Sequence, residues 1–110
     1  MKTVKELLDQ ADLQVERGSY SKARRLYKRA LVLKERQVGQ HHPSLSPVLW
    51  DLGLVSYALG RNEEAQIILM RLLEAKIKEV GELHDDVKEI RGLLAELKPH
   101  TRTRLLFASA

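Results

Sequence analysis

The sequence repeats itself at an offset of 42 residues, and this repeat limits the folds open to the chain more than any other feature. Identical residues recur at that offset in both halves of the chain: Gly18/Gly60, Ala23/Ala65, Arg29/Arg71, Leu31/Leu73, Lys34/Lys76, Val38/Val80, Gly39/Gly81, His42/His84 and Leu52/Leu94. A period of this length is typical of stacked helical hairpins, in which each repeat buries its apolar face against its neighbours. The sequence therefore predicts an all-α fold with about two and a half helix-turn-helix repeats.

Apolar spacing and helix-breaking residues divide the repeat into helices. The spacing predicts helices over residues 3–17, from Ser19 or Ser21 to Val38, over 46–60, from Asn62 or Glu63 to Val80, and over 86–97. Gly18 and Gly60 lie in the turns, where a positive φ is favourable only for glycine. We therefore predict one domain over residues 1–98, with repeat 1 at about 4–45, repeat 2 at about 46–87, a capping helix at about 86–97, and a C-terminal tail after Pro99 over 99–110.

Composition excludes several classes of protein. The net charge of +4 reflects 19 basic and 15 acidic residues, an excess too small to indicate a dedicated nucleic-acid binder. The chain has no cysteine, which excludes disulfides and thiol chemistry and is compatible with the cytoplasmic location that we expect. No apolar run resembles a signal peptide or reaches the roughly 20 residues of a membrane helix, so no membrane association is expected.

The sequence offers no constellation of catalytic or metal-binding residues. The histidines do not lie in a HExxH frame, and His42 and His84 recur with the predicted loops, as expected of connectors between helices. No serine lies in a nucleophile elbow, and no glycine-rich phosphate loop is present. Glu63 and Glu64 lie in the first turn of a helix, where carboxylates favour the helix dipole. We therefore expect no enzyme activity, cofactor, metal or small-molecule substrate.

Several strings resemble a known repeat family. Gly18-x-Tyr20-x-x-Ala23-x-x-x-Tyr27-x-x-Ala30-Leu31, and Leu52-Gly53 followed by Gly60-x-x-Glu63-Glu64-Ala65, resemble the tetratricopeptide motif. That family usually repeats at about 34 residues. The longer period, with Leu26-Tyr27-Lys28-Arg29-Ala30-Leu31 and Gly39-Gln40-His41-His42-Pro43, is similar to the repeats of kinesin light chains and their bacterial relatives. The resemblance covers roughly residues 4–98 and implies an α-α superhelix.

Two positions depart from the family pattern. Asn62 stands where an aromatic residue is usual, and Leu72 stands where a small residue is usual. These departures predict that the second hairpin packs less tightly than the first. The half repeat at the end is expected to act as a cap.

The resemblance also implies a concave groove lined by the first helix of each repeat. The groove residues would be Lys5, Leu8, Asp9, Asp12, Glu16, Trp50, Asp51, Leu54, Tyr57, Ala58, Glu89, Leu93 and Glu96. The basic clamp with which relatives bind carboxylates is absent, and Asp9 and Asp51 replace the family's groove asparagine. We therefore predict a protein partner that supplies a basic, partly apolar peptide or helix. The alternative is that Trp50 and Tyr57 are ordinary packing between hairpins.

The second helix carries a basic face, consisting of Lys22, Arg25, Arg29 and Arg36, with Arg24 and Lys28 beside it. This face is either solvated or a surface for an acidic partner or, as a less favoured alternative, for nucleic acid. Nucleic acid is not the expected partner, because no aromatic residue interleaves with the stripe. Self-assembly is a further alternative: an acidic groove and a basic back suit head-to-tail association, and Leu93, Leu94, Leu97 and the Leu105–Phe107 cluster suit a homodimer.

Overall fold

A computed structural model describes the backbone of residues 1–109 and the side chains of residues 1–97. Over that backbone the chain forms five α-helices and one short 3-10 turn. Their bounds are α1 Val4–Glu16, α2 Tyr20–Val38, the 3-10 turn Pro43–Leu45, α3 Ser46–Ala58, α4 Asn62–Val80 and α5 Asp85–Ser109. The all-α class is confirmed, and the first four helices begin and end within two residues of the predicted bounds.

Each hairpin turns at a glycine in the left-handed region of φ. Gly18 has a φ of 74° and Gly60 a φ of 73°, as the sequence predicts. In the first turn the Ser19 amide donates a hydrogen bond of 2.8 Å to the Gln14 carbonyl, and the equivalent bond of 2.9 Å closes the second turn. This six-residue closure satisfies carbonyls that the end of a helix leaves free. Both hairpins therefore reverse direction by the same device.

The helices stack in chain order. α1 and α2 form the first hairpin and α3 and α4 the second, while α2 also packs against α3 and α4 against α5. A single core runs through the stack, and its largest members are buried leucines, valines and isoleucines joined by Tyr27: Tyr27, Leu31, Leu45, Val48, Leu49, Leu52, Leu69, Leu72, Ile90, Leu94 and Leu97. Burial of this continuous apolar surface is the main force that holds the repeats together.

Small residues allow the helices to cross closely. Ala23, Ala30 and Ala65 are fully buried, as their predicted role requires. A Cβ atom at Gly53 would lie 2.8 Å from Cδ2 of Leu69, which confirms that glycine lets α3 approach α4. Leu72 is fully buried as well, so the core accommodates the larger residue. The looser packing of the second hairpin stays a prediction.

The last helix differs from its prediction. α5 continues through Pro99 to Ser109, so the helix does not end near Leu97. Proline removes one hydrogen bond and crowds the carbonyl four residues earlier, at a cost of about 3 kcal/mol. Arg102, Leu105 and Ala108 beyond it are good helix formers, and no glycine interrupts them. The side chains of the Leu105–Phe107 cluster lie outside the described residues, so their role stays a prediction.

Two of the leucines assigned to a homodimer surface belong to the core. Leu94 and Leu97 are buried within the chain, and Leu93 is half-buried. They cannot supply the exposed apolar patch that the prediction assumed, because the sequence pattern alone does not distinguish a covered helix face from an open one. Among the described residues, no helix combines the length and the apolar character needed to cross a membrane.

Candidate peptide-binding groove

Two acidic side chains of the predicted groove converge where α1, α2 and α3 meet. The buried Tyr27 hydroxyl donates a hydrogen bond of 2.6 Å to Oδ1 of Asp12. Burial, this hydrogen bond, and the negative charges of Asp51 and Asp12 raise the pKa of the Tyr27 phenol well above its ordinary value. A core residue thus positions one carboxylate, and the second lies near enough to act on the same phenol.

Asp51 is a half-buried carboxylate that has no cation beside it among the described side chains. Burial, and then the negative charge of Asp12, raises the pKa of the Asp51 carboxyl. Among the described side chains, no hydrogen bond or ion pair involves Asp51. An ionised group in this position has lost part of its hydration without gaining a partner. The junction of α1 and α3 therefore has a negative potential that a positively charged group would relieve.

A second contact links α3 to α5. The Tyr57 hydroxyl donates a hydrogen bond of 2.8 Å to Oε2 of Glu96, and this bond raises the pKa of Tyr57. Leu54 and Tyr57 are 38% and 37% exposed, on a helix whose other face is buried. The structure thus brings Tyr57 and Glu96 together and leaves Leu54 open to solvent, with an apolar surface next to acidic groups.

Other predicted groove residues contribute less. Asp9 is exposed and pairs with Lys5 on its own helix, at 2.9 Å between carboxylate and amine, so part of its charge is already compensated. Leu8 and Trp50 are half-buried and pack against the core, as the alternative interpretation of Trp50 expects. Trp50 also lines a cleft of about 230 Å³ with Lys76 of α4 and Glu89 of α5, so part of its ring remains accessible.

The basic residues of α2 divide into two sets. Lys22, Arg25, Arg29 and Arg36 are exposed, and none of them makes an ion pair with a described side chain. The flanking Arg24 instead binds Glu64 of α4 with two hydrogen bonds of 2.7 Å, and Lys28 adds a third contact of 3.0 Å. The hydrogen bonds from Arg24 hold the pKa of Glu64 far below its usual range.

Sequence reasoning missed this ion-pair cluster because it interpreted Glu64 only as a dipole-compensating residue. One signal was present in the repeat: Glu64 is the equivalent of Lys22, and a reversal of charge at an equivalent position indicates a different neighbour. The cluster joins the two hairpins, so its role is structural.

The repeated histidines act in the loops. Nδ1 of His42 accepts a hydrogen bond of 3.1 Å from the Ser44 amide, and Nδ1 of His84 accepts one of 3.0 Å from the Asp86 amide. Each ring thus satisfies an amide at the start of the following helical segment. Among the described residues, no three His, Cys, Asp or Glu side chains lie where they would hold a metal ion.

Known sequences agree with the architecture. Residues 6–78 match the family model of the tetratricopeptide repeat. The chain is also similar to human tetratricopeptide repeat protein 19, mitochondrial, with 29% identity over 91 residues. That alignment covers 82% of this chain but only 24% of the human protein, so the chain spans about a quarter of that relative's length. Repeats of this family generally serve as protein–protein interaction modules. Because the family model covers most of its length and the helices stack in successive hairpins, this chain belongs to the tetratricopeptide repeat family.

Proposed function

We propose that the chain is a non-catalytic adaptor that binds a basic, partly apolar peptide or helix of a partner protein in the groove formed by α1, α3 and α5. The main support for this proposal is Asp51, which is half-buried and lies beside Asp12. Among the described side chains, Asp51 has no ion pair or hydrogen bond. A lysine or arginine of the partner would lie between these two carboxylates. An apolar residue of the partner would contact Leu54 and Tyr57, whose exposed surfaces lie on the same helix as Asp51.

The favourable free energy of peptide binding should come from charge interactions as much as from buried apolar area. A hydrogen bond to an ionised group contributes about 1.5–3 kcal/mol when it forms away from bulk water. A factor of ten in affinity corresponds to about 1.4 kcal/mol, so one well-placed cation changes the affinity by about tenfold or more. The bound cation would also relieve the repulsion between Asp12 and Asp51. Asp9 and Glu96 would extend the negative surface to either side, although Lys5 and Tyr57 already contact them.

The test uses two synthetic peptides that differ only in charge. One alternates leucine and arginine, and the other alternates leucine and glutamate; binding is followed by fluorescence anisotropy at low and at physiological salt. We expect the chain to bind the basic peptide and not the acidic one. Asp51→Asn should weaken that binding about tenfold because it removes one charge-assisted contact without changing the side chain's size.

Glu74→Gln is the matched control, because Glu74 is exposed on α4 and the substitution removes the same charge. This control should bind the basic peptide as the unaltered chain does. Equal affinities of the Asp51 and Glu74 variants, with unchanged helicity by circular dichroism, would refute the assignment of the groove.

The name of the human relative assigns that protein to mitochondria. The cytoplasmic location expected from the composition of this chain stays a prediction. Fractionation of the source cell, with detection of the chain in each fraction, would decide between the two compartments.

A further inference from the structure

A second groove lies on the first hairpin, between α1 and α2, and no described helix packs into it. We call it the end groove. Two clefts of about 370 Å³ and 340 Å³ lie along it and share Arg29. Its other main lining residues are the α1 residues Leu7 and Gln14 and the α2 residues Lys22, Leu26, Leu33 and Arg36. Arg24, which ties α2 to α4 through Glu64, does not line the end groove, whereas Lys28 lines it and also contacts Glu64.

The repeat shows what kind of element occupies the equivalent groove of the second hairpin. There, α2 lies against α3, and long side chains tie it to α4. Ile68, the equivalent of the half-buried Leu26, is buried there at 9% exposure, whereas Leu49 and its equivalent Leu7 are both buried, at 1% and 3%. The equivalent of Arg29 is Arg71, whose Nη2 donates a hydrogen bond of 2.8 Å to Oε2 of Glu35 on α2. The same surface thus receives a helix in one hairpin and is open in the other.

The charge at one equivalent position is reversed. In the second hairpin Glu64 receives hydrogen bonds from Arg24 and Lys28 of the docked helix. In the end groove the equivalent residue is Lys22, which is exposed and has no ion pair among the described side chains. A helix that fits the end groove must therefore carry carboxylates where α2 carries Arg24 and Lys28.

At a second equivalent position, that of Arg29 and Arg71, both hairpins carry an arginine, so the charge there is the same. Arg29 stands where Arg71 stands in the second hairpin, so it suits a carboxylate at the position of Glu35. Arg25 and Arg36 add positive charge on either side, and both are exposed. All the charged positions on the α2 wall of the groove thus favour the same kind of ligand, a helix with an acidic face.

The residues of α1 beside the end groove favour a single helix over a complete hairpin as its ligand. Glu6 and Gln10 occupy the positions of Val48 and Leu52, which are both 1% exposed in the second hairpin. A complete apolar hairpin stacked here would bury Glu6 and Gln10 without partners, which is costly. Leu13, 41% exposed where its equivalent Val55 is 6% exposed, still offers apolar contact near α2. One amphipathic helix leaning on α2 meets both conditions.

We propose that the end groove binds an acidic amphipathic helix of a partner protein, in the manner in which α3 and α4 bind α2. This site is independent of the concave groove, because its charge is opposite and its lining residues are different. Binding depends on ion pairs more than on apolar area, so it should weaken as salt concentration rises.

The experiment uses two probes derived from α2, the helix that fills the equivalent groove. Both are capped 19-residue peptides with the sequence of residues 20–38, in which the cations that would face solvent are replaced by glutamine. The basic probe keeps Arg24 and Lys28, and the acidic probe carries R24E and K28E. Fluorescence anisotropy should show that the unaltered chain binds the acidic probe at least tenfold more tightly than the basic one.

Lys22→Glu is the most informative variant, because it places a carboxylate in the end groove at the position equivalent to Glu64. This variant should reverse the preference and bind the basic probe more tightly. Lys78→Glu is the matched control: Lys78 is exposed on α4, is the repeat equivalent of Arg36, and undergoes the same change of charge. It should keep the preference of the unaltered chain, and neither variant should alter the binding of the basic peptide in the concave groove.

Several results would overturn the proposal. Equal binding of both probes, or a loss of both in the Lys22 variant without reversal, would show that no helix with a defined charge pattern fits. Phosphatidylserine vesicles or duplex DNA that displace the acidic probe, with the same dependence on Lys22, would identify a general anion surface. A dimer in sedimentation velocity that Lys22→Glu abolishes would identify a second copy of the chain as the occupant instead.

Discussion

The two hairpins share their backbone plan and differ in the side chains that touch a neighbour. Each has a glycine turn, a second helix of 19 residues and a histidine that accepts a hydrogen bond in the following loop. Three of the differences fall where one helix meets another in the second hairpin: Ala11 becomes Gly53, Ala30 becomes Leu72, and Lys22 becomes Glu64.

Some positions of a repeat are constrained by their own backbone conformation, and others by the helix that packs against them. A glycine with positive φ is required by its own backbone conformation, so the requirement is the same in every repeat. A residue between helices is constrained by what lies opposite, and the two hairpins have different neighbours. Among the described α-helices the first hairpin packs mainly on α3, whereas the second lies between α2 and α5. The exchange of Lys22 for Glu64, for example, marks a surface that α2 contacts in the second hairpin and that no described helix contacts in the first.

The largest expected effect follows from the exchange of Ala30 for Leu72. Both are fully buried, so Leu72→Ala removes most of a side chain from the core and leaves a cavity. We expect a loss of about 2–5 kcal/mol in the free energy of unfolding, measured by urea denaturation. The reciprocal Ala30→Leu should also destabilise the chain, by about 1–3 kcal/mol, because the first hairpin lacks space for the extra atoms.

Denaturation midpoints for the two single variants and the double variant test the comparison directly. A loss below about 1 kcal/mol for Leu72→Ala would show that the second hairpin collapses around the smaller residue. It would also support the looser packing of the second hairpin that the sequence predicts.

The next effect concerns Glu64, which holds the hairpins together through Arg24 and Lys28. Because the pKa of Glu64 is lowered in the folded chain, its ionised form stabilises the fold above the ordinary carboxyl pKa of 4.5. That stabilisation is lost as the pH falls below this value. Glu64→Gln should cost about 2 kcal/mol at neutral pH, since it leaves the half-buried Arg24 with a weaker acceptor, and should flatten the acid limb of the stability profile.

The control for this measurement is Glu63→Gln, which changes the exposed neighbour of Glu64. Thermal unfolding of the three proteins between neutral pH and pH 3 should separate the Glu64 variant from the other two. Parallel stability curves for all three would contradict the role of the cluster.

Most of the fold was predictable because its determinants are local. Gly18 and Gly60 mark the turns, and the apolar spacing locates α1 to α4 within two residues. The contact of Gly53 with Leu69 was also expected, since the helix crossing follows from the repeat. The length of α5 was not, because a single proline weighs against a helix without forbidding it.

The candidate site was predictable in outline and not in its contacts. The acidic character of the groove follows from the sequence, but the bond between Tyr27 and Asp12 depends on how α1 lies on α2. Whether Trp50 faces solvent or the core depends on how α5 packs, which no spacing in the sequence reveals. The pairing of Arg24 with Glu64 joins residues far apart in sequence, and only the stacking of the hairpins brings them together.

A smaller effect tests the histidine that precedes each new helix. Nδ1 of His84 accepts the Asp86 amide, so His84→Ala leaves that amide without an acceptor. We expect a loss of about 1 kcal/mol, the usual magnitude for a helix cap, measured by thermal or urea unfolding. His84→Asn should retain most of the stability, because its side-chain oxygen can accept the same amide. His41→Ala is the control, since the His41 side chain has no hydrogen bond to a described residue; equal losses at both positions would contradict the capping role.

The smallest effect on stability should come from Asp12→Asn, and it is the sharpest test of the groove. The buried Tyr27 hydroxyl keeps an oxygen acceptor in this variant, so the free energy of unfolding should change by only about 0.5 kcal/mol or less. The pKa of Asp51 should nevertheless fall, because one of the two causes that raise it is the negative charge of Asp12. Carboxyl resonances in an NMR pH titration would measure the shift in the pKa of Asp51.

The control is Asp9→Asn, which removes the same charge one turn earlier on α1. Because Lys5 already compensates the charge of Asp9, this variant should move the pKa of Asp51 less. Equal pKa shifts in the two variants would mean that the pKa of Asp51 depends on the overall charge of α1. They would contradict a specific repulsion between Asp12 and Asp51.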